Sequence, residues 1–177
     1  MAVAIIAPML AAALIIPAIA GSARLFAALG LAPVRVLDLL IGTCLALVMR
    51  AAVELVAPTV ATGAGWLADE MLVSLIVAVL VSPVVEELLF RGVLQRALAD
   101  GLRKSGPLVA AVASIVATTA AFTAAHAMTG TVQYVTIVAT VAVGTGCGIM
   151  TAWTGRLGAA ITAHLFYNAI GAALMLG

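Results

Sequence analysis

The chain has 177 residues, of which 66% are hydrophobic and 8% are charged, with a formal net charge of +1. An ordinary soluble domain carries roughly 25% charged residues, so the polar surface needed to cover a soluble core is missing and lipid must supply the apolar surroundings. The near-neutral charge and the 5% aromatic content leave neither a basic footprint nor stacking platforms, which excludes nucleic-acid recognition.

A helix that crosses the ~30 Å hydrocarbon layer needs about 20 apolar residues. In chain order, the apolar runs predict about six spans. They cover residues 2–20 (with Pro8 and Pro17), 36–57 (with Arg50 and Glu54), 71–98 (with Pro83), 107–127, 132–153 and 157–176. The fold class expected is all-α: a polytopic transmembrane helix bundle, multi-pass in the cell membrane, with lipid as its surroundings. The first run ends in Ala18-Ile19-Ala20, which has the small-residue form of a signal-peptidase site. No Lys or Arg precedes it, however, and a cleavable signal normally has one. Retention as a membrane helix is the expectation.

The connectors alternate in charge. Residues 21–35 carry two arginines, residues 58–70 are Thr/Gly-rich with two acids, Arg103 and Lys104 follow the third run, and Arg156 precedes the last. The positive-inside rule then puts residues 21–35, 99–106 and 154–156 in the cytoplasm. Cys44 and Cys147 lie inside apolar runs and read as small packing groups. Gly144 and Gly148, four apart in the fifth run, allow two helix backbones to approach closely in lipid.

Ionisable residues inside a bilayer are costly and mark function by default. Both histidines of the chain, His126 and His164, fall in apolar runs, and so do the adjacent Glu86 and Glu87. On a helix, Glu87 and Arg91 are four apart and can pair, while Glu86 is turned about 100° away toward another neighbour. Phe122 shares a face with His126, and His164 shares one with Asn168. Each group alone has a bland explanation in helix packing. Two glutamates, two histidines and an asparagine on three apolar helices are best explained by convergence on one wet cavity. That set offers a carboxylate to activate water, imidazoles to bind metal or share protons, and an amide to donate to an oxyanion. No Ser or Cys has the setting of a nucleophile, and H-E-x-x-H is absent.

The ordered motifs Glu86-Glu87-x-x-x-Arg91, Phe122-x-x-x-His126 and His164-x-x-x-Asn168 resemble those of the CPBP (Abi) intramembrane endopeptidases. That family includes type II CAAX prenyl endopeptidases and bacteriocin-processing and self-immunity proteins. The resemblance covers about residues 70–175. It implies a catalytic core over residues 70–177, preceded by N-terminal transmembrane helices over residues 1–69 in one compact membrane domain. It further implies peptide-bond hydrolysis in the membrane. Glu86 would activate water with His126, His164 and Asn168 would bind metal or stabilise the oxyanion, and Glu87, Arg91 and Phe122 would hold the site together. A zinc ion on His126, His164 and Glu86 and a metal-free, glutamate-dependent route are both compatible with these residues. The implied partner is a membrane-associated peptide or protein substrate, prenylated or carrying a leader. A self-immunity protein acting by binding and a small proton-coupled transporter are the competing readings. The first has no need to keep acid, imidazole and amide together, and no inverted repeat supports the second.

Overall fold

The computed structural model describes residue 15 and residues 29–60, 69–128 and 133–177. Apart from residue 15, the first predicted span lies outside them, as does its signal-peptidase-like end. Among the described residues the regular structure is wholly helical. Five helices are long and apolar enough to cross a membrane, against the six expected with the first one included.

The helix α1 spans Val36–Val56. The helix α2 is one long run, Asp69–Ile76, Val77–Val81, Ser82–Glu87, Leu88–Gln95 and Arg96–Leu102, in which the second and fourth stretches are π-helical. The helices α3, α4 and α5 span Pro107–Ala127, Tyr134–Thr154 and Gly158–Leu176. Gly106, at φ +99°, and Pro107 at the first helical position separate α2 from α3. Glycine tolerates positive φ, and proline there loses no needed N–H. Gly155, at φ +67°, ends α4 in the left-handed conformation and permits the short turn into α5.

The burial pattern is inverted relative to a soluble protein. Val36, Leu55, Leu108, Val116 and Trp153 are exposed, whereas Glu87, Arg91, Gln95, Ser114, Thr118 and His164 are buried. Apolar side chains lose nothing by facing lipid tails, so contacts between helices depend on close packing and internal polar bonds. Small residues do this along α1 and α5. A Cβ at Gly42 would stand 2.6 Å from both the Ala159 carbonyl oxygen and Thr162 Cβ, and Ala46, Ala160 and Ala163 are fully buried nearby. Gly144 does the same between α3 and α4, where a Cβ would lie 2.8 Å from Thr119 Cγ2. At the shared end of α1 and α5, Asp38 accepts from the Arg35 backbone at 2.9 Å and from Arg156 at 2.8 Å. Cys44 and Cys147 are both free thiols, and Cys147 Sγ donates to the Ala160 carbonyl at 3.5 Å.

Candidate active site

Two faces of α2 carry the polar residues. Pro83 has no N–H to return to the preceding turn, and the chain there takes the wider register, with Ser82 N–H bonded to the Val77 carbonyl five residues back. Such π-segments are uncommon and are often found at functional sites. From Ser82 onward, Ser82 and Glu86 share one face at a spacing of four, and Glu87, Arg91 and Gln95 share the next.

The second face is the support. Glu87 and Arg91 are completely buried and paired at 3.1 Å. Arg91 also donates to the Gly144 carbonyl of α4 at 3.1 Å, and its guanidinium lies 4.8 Å from the Phe122 ring centroid. One turn further, Gln95 donates to the Gly148 carbonyl at 2.9 Å. The two glycines therefore do more than admit a close neighbour: their carbonyls receive the polar side chains of α2. A charge pair this deep holds only if its hydrogen bonds are also met, and the backbone of α4 supplies part of them.

The first face opens on a cavity of about 370 Å³ lined, among others, by Ser82, Glu86, Phe122, His126, His164 and Asn168. Glu86 is 8% exposed. Its Oε1 accepts from Ser82 Oγ, and its Oε2 lies 3.6 Å from His164 Nε2. The other ring nitrogen of His164 is 2.9 Å from Glu87 Oε1, so one imidazole bridges the two carboxylates. His126 Nδ1 is 3.0 Å from the Phe122 carbonyl. A carbonyl only accepts, so in this contact Nδ1 is the donor. Phe122 is the wall common to both histidines, with ring centroids 4.4 Å from His126 and 5.8 Å from His164. Asn168 donates to the Ala78 carbonyl at 3.0 Å, tying α5 to the first π-segment of α2.

All the residues singled out in the sequence are thus brought together. Glu86, Phe122, His126, His164 and Asn168 line the cavity, Glu87 and Arg91 stand behind it, and Gly144 and Gly148 back the support. A straight helix count sets His126 at the far end of its helix and would separate it from His164. The Cα–Cβ bond of a helical residue tilts toward the helix N-terminus, so the imidazole of His126 reaches back one turn onto the Phe122 ring, which also stands against His164.

The sequence reading did not single out Ser82, Tyr167, Thr136 or Thr140, all of which line the cavity. The spacing Ser82-x-x-x-Glu86 was the available signal for the first. Among the described residues, no group of three or more His, Cys, Asp or Glu side chains is arranged to hold an ion. His164, moreover, presents each ring nitrogen to a carboxylate. The donors as they stand do not fit a metal cage.

A family model described as type II CAAX prenyl endopeptidase Rce1-like matches residues 68–170, a segment that begins just before α2 and ends within α5. No curated protein and no solved structure matches the chain.

Proposed function

The chain belongs to the Rce1-like family of type II CAAX prenyl endopeptidases, which are membrane proteases, and from that premise we propose that it hydrolyses a peptide bond of a membrane-associated substrate with water activated by Glu86. The observation that carries the reading is the meeting of Glu86, His126, His164 and Asn168 on one cavity. A water held between Glu86 and Nε2 of His126 gives its proton to the Glu86 carboxylate as its oxygen attacks the scissile carbonyl carbon. One Asn168 N–H is used on Ala78, and the second is available to the developing oxyanion. Glu86 then passes its proton to the departing amine. His164 stands beside Glu86 throughout, and Arg91 offsets the charge of Glu87.

The wall of the cavity contains Ala78, Val135, Ala139 and Val143 besides the polar groups, which suits a peptide held against lipid. A direct test reconstitutes the full chain in liposomes with a peptide whose C-terminal CAAX tetrapeptide is prenylated. Cleavage within that tetrapeptide is expected; an intact reporter contradicts the CAAX-type substrate. On the same reporter, Ser82→Ala is expected to lower kcat about fivefold to tenfold with KM little changed. A hydrogen bond to a charged group contributes about 1.5 kcal/mol or more, of which the part orienting the base is lost. A KM change with kcat intact would place Ser82 in substrate binding instead. Incubation with a divalent-metal chelator is expected to leave the rate within about twofold, because metal-dependent hydrolysis would lose several kcal/mol of stabilisation. Loss of activity restored by zinc would overturn that part.

A further inference from the structure

The two ends of the bundle differ in charge. At one end, residues 30–35, the turns of α2 from Arg96 onward and residues 155–157 meet. Leu157 N donates to the Gly30 carbonyl at 3.1 Å, Arg156 to the Pro33 carbonyl at 2.6 Å and Arg96 to the Gly155 carbonyl at 2.6 Å. Arg35, Arg96, Arg103, Lys104 and Arg156 stand at this end, against Asp38 and Asp100. At the other end, residues 57–68 and 128–133 join α1 to α2 and α3 to α4 without one charged residue, and Asp69 and Glu70 open α2. Arg50, the nearest base in the sequence, is paired with Glu54 at 2.7 Å. Basic connectors stay on the cytoplasmic side, so the first end is the cytoplasmic one.

The hydrolytic cavity opens toward the opposite end. On each of the four helices that line it, exposure rises with distance from the basic end. Ala78 is exposed and Glu86 buried on α2, while on α3 His126 is half-buried and Phe122 buried. Thr136 is half-buried and Thr140 buried on α4, and on α5 Asn168 is half-buried and His164 buried. At 1.5 Å per residue, His126 and Thr136 stand about 30 Å along their helices from Gly106 and Gly155, which is the thickness of the hydrocarbon layer. Toward the basic end the floor is closed: the Arg91 guanidinium lies against the Phe122 ring and on the Gly144 carbonyl, and Gln95 on the Gly148 carbonyl follows one turn further. We infer that the cavity receives its substrate from the non-cytoplasmic face of the membrane, so that the bond cut belongs to a translocated segment of a membrane-anchored peptide or protein and not to a cytoplasmic tail. The substrate class rests on the hydrolytic role proposed above, whereas the face follows from charge and burial alone. A liposome reporter present on both faces reaches the cavity in either orientation.

The test places one cysteine at the cavity mouth (Thr136→Cys) or at the basic end (Arg103→Cys), each in the full chain carrying Cys44→Ala. Cys147 is buried, and the chain with Cys44→Ala alone is the blank. A charged maleimide, which does not cross hydrocarbon, is added to sealed right-side-out and inverted membrane vesicles. Thr136→Cys is expected to react in right-side-out vesicles and Arg103→Cys in inverted ones. Reaction of Thr136→Cys from the cytoplasmic face, or from neither face, overturns the inference. In a second arm, a charged peptide reporter anchored by a lipid chain is added from outside, with Glu86→Gln vesicles as the blank. Right-side-out vesicles should cleave it, and inverted ones only after permeabilisation. Cleavage by intact inverted vesicles overturns the inference as well. No cleavage even after permeabilisation would sink the hydrolytic reading and the substrate class with it, while the labelling, which needs no hydrolysis, decides the face.

Discussion

Glu86→Gln is expected to leave the bundle folded and to lower peptide hydrolysis by about 10²–10⁴-fold, the range general-base catalysis supplies. The substitution keeps the volume and can still accept from Ser82 Oγ at the amide oxygen, so the hydrogen bond that fixes the side chain is retained. What it removes is the ability to take a proton from water. The His164 contact at 3.6 Å is long, and its loss adds little to folding. The two effects therefore separate: the thermal midpoint in detergent should stay near wild type while kcat collapses. A variant with wild-type kcat would remove Glu86 from the chemistry.

Arg91→Met is expected to act on folding. The Glu87 carboxylate is completely buried, and Arg91 at 3.1 Å is its compensating cation. Removing one partner of a buried pair leaves an uncompensated charge and costs about 3–5 kcal/mol, a large part of the 5–15 kcal/mol that stabilises a typical domain. The Arg91 bond to the Gly144 carbonyl is lost with it, loosening α2 from α4. Little folded protein should survive extraction into detergent, as judged by size-exclusion profile. The double variant Arg91→Met, Glu87→Gln should recover part of the loss, because no bare charge remains. Equal instability of the single and double variants would mean that Arg91 acts through packing alone.

Much of this was legible in the sequence, for physical reasons. Lipid tolerates only long apolar runs, so the spans of α1, α3, α4 and α5 could be read within a few residues. The same intolerance makes Glu86, Glu87, His126 and His164 conspicuous. Ser82, Thr136, Thr140 and Tyr167 carry no such mark: hydroxyl side chains are frequent in membrane helices and mostly bond to their own backbone, as Thr140 does with the Thr136 carbonyl at 2.8 Å. The π-segments of α2 were also hidden. Pro83 announces a disturbance, but whether the helix kinks or widens depends on what packs against it. Arg50 and Glu54 were visible as charges four apart in α1, where they pair at 2.7 Å, yet their further partners come from beyond the helix. Glu54 accepts from Thr59 N at 2.7 Å, and the Arg50 guanidinium stands 5.0 Å from the Tyr167 ring centroid of α5. The bridge that His164 makes between two adjacent glutamates could not be read from spacing at all, because it joins helices 77 positions apart.

The most direct test of the central claim compares N-terminal peptides from membrane fractions of cells making equal amounts of the wild-type chain or Glu86→Gln. New N-termini present with wild type and absent with the variant are the predicted result, and they would name the substrate and its cleaved bond together. Identical peptide sets, at equal protein abundance, would contradict the assignment of this site to hydrolysis.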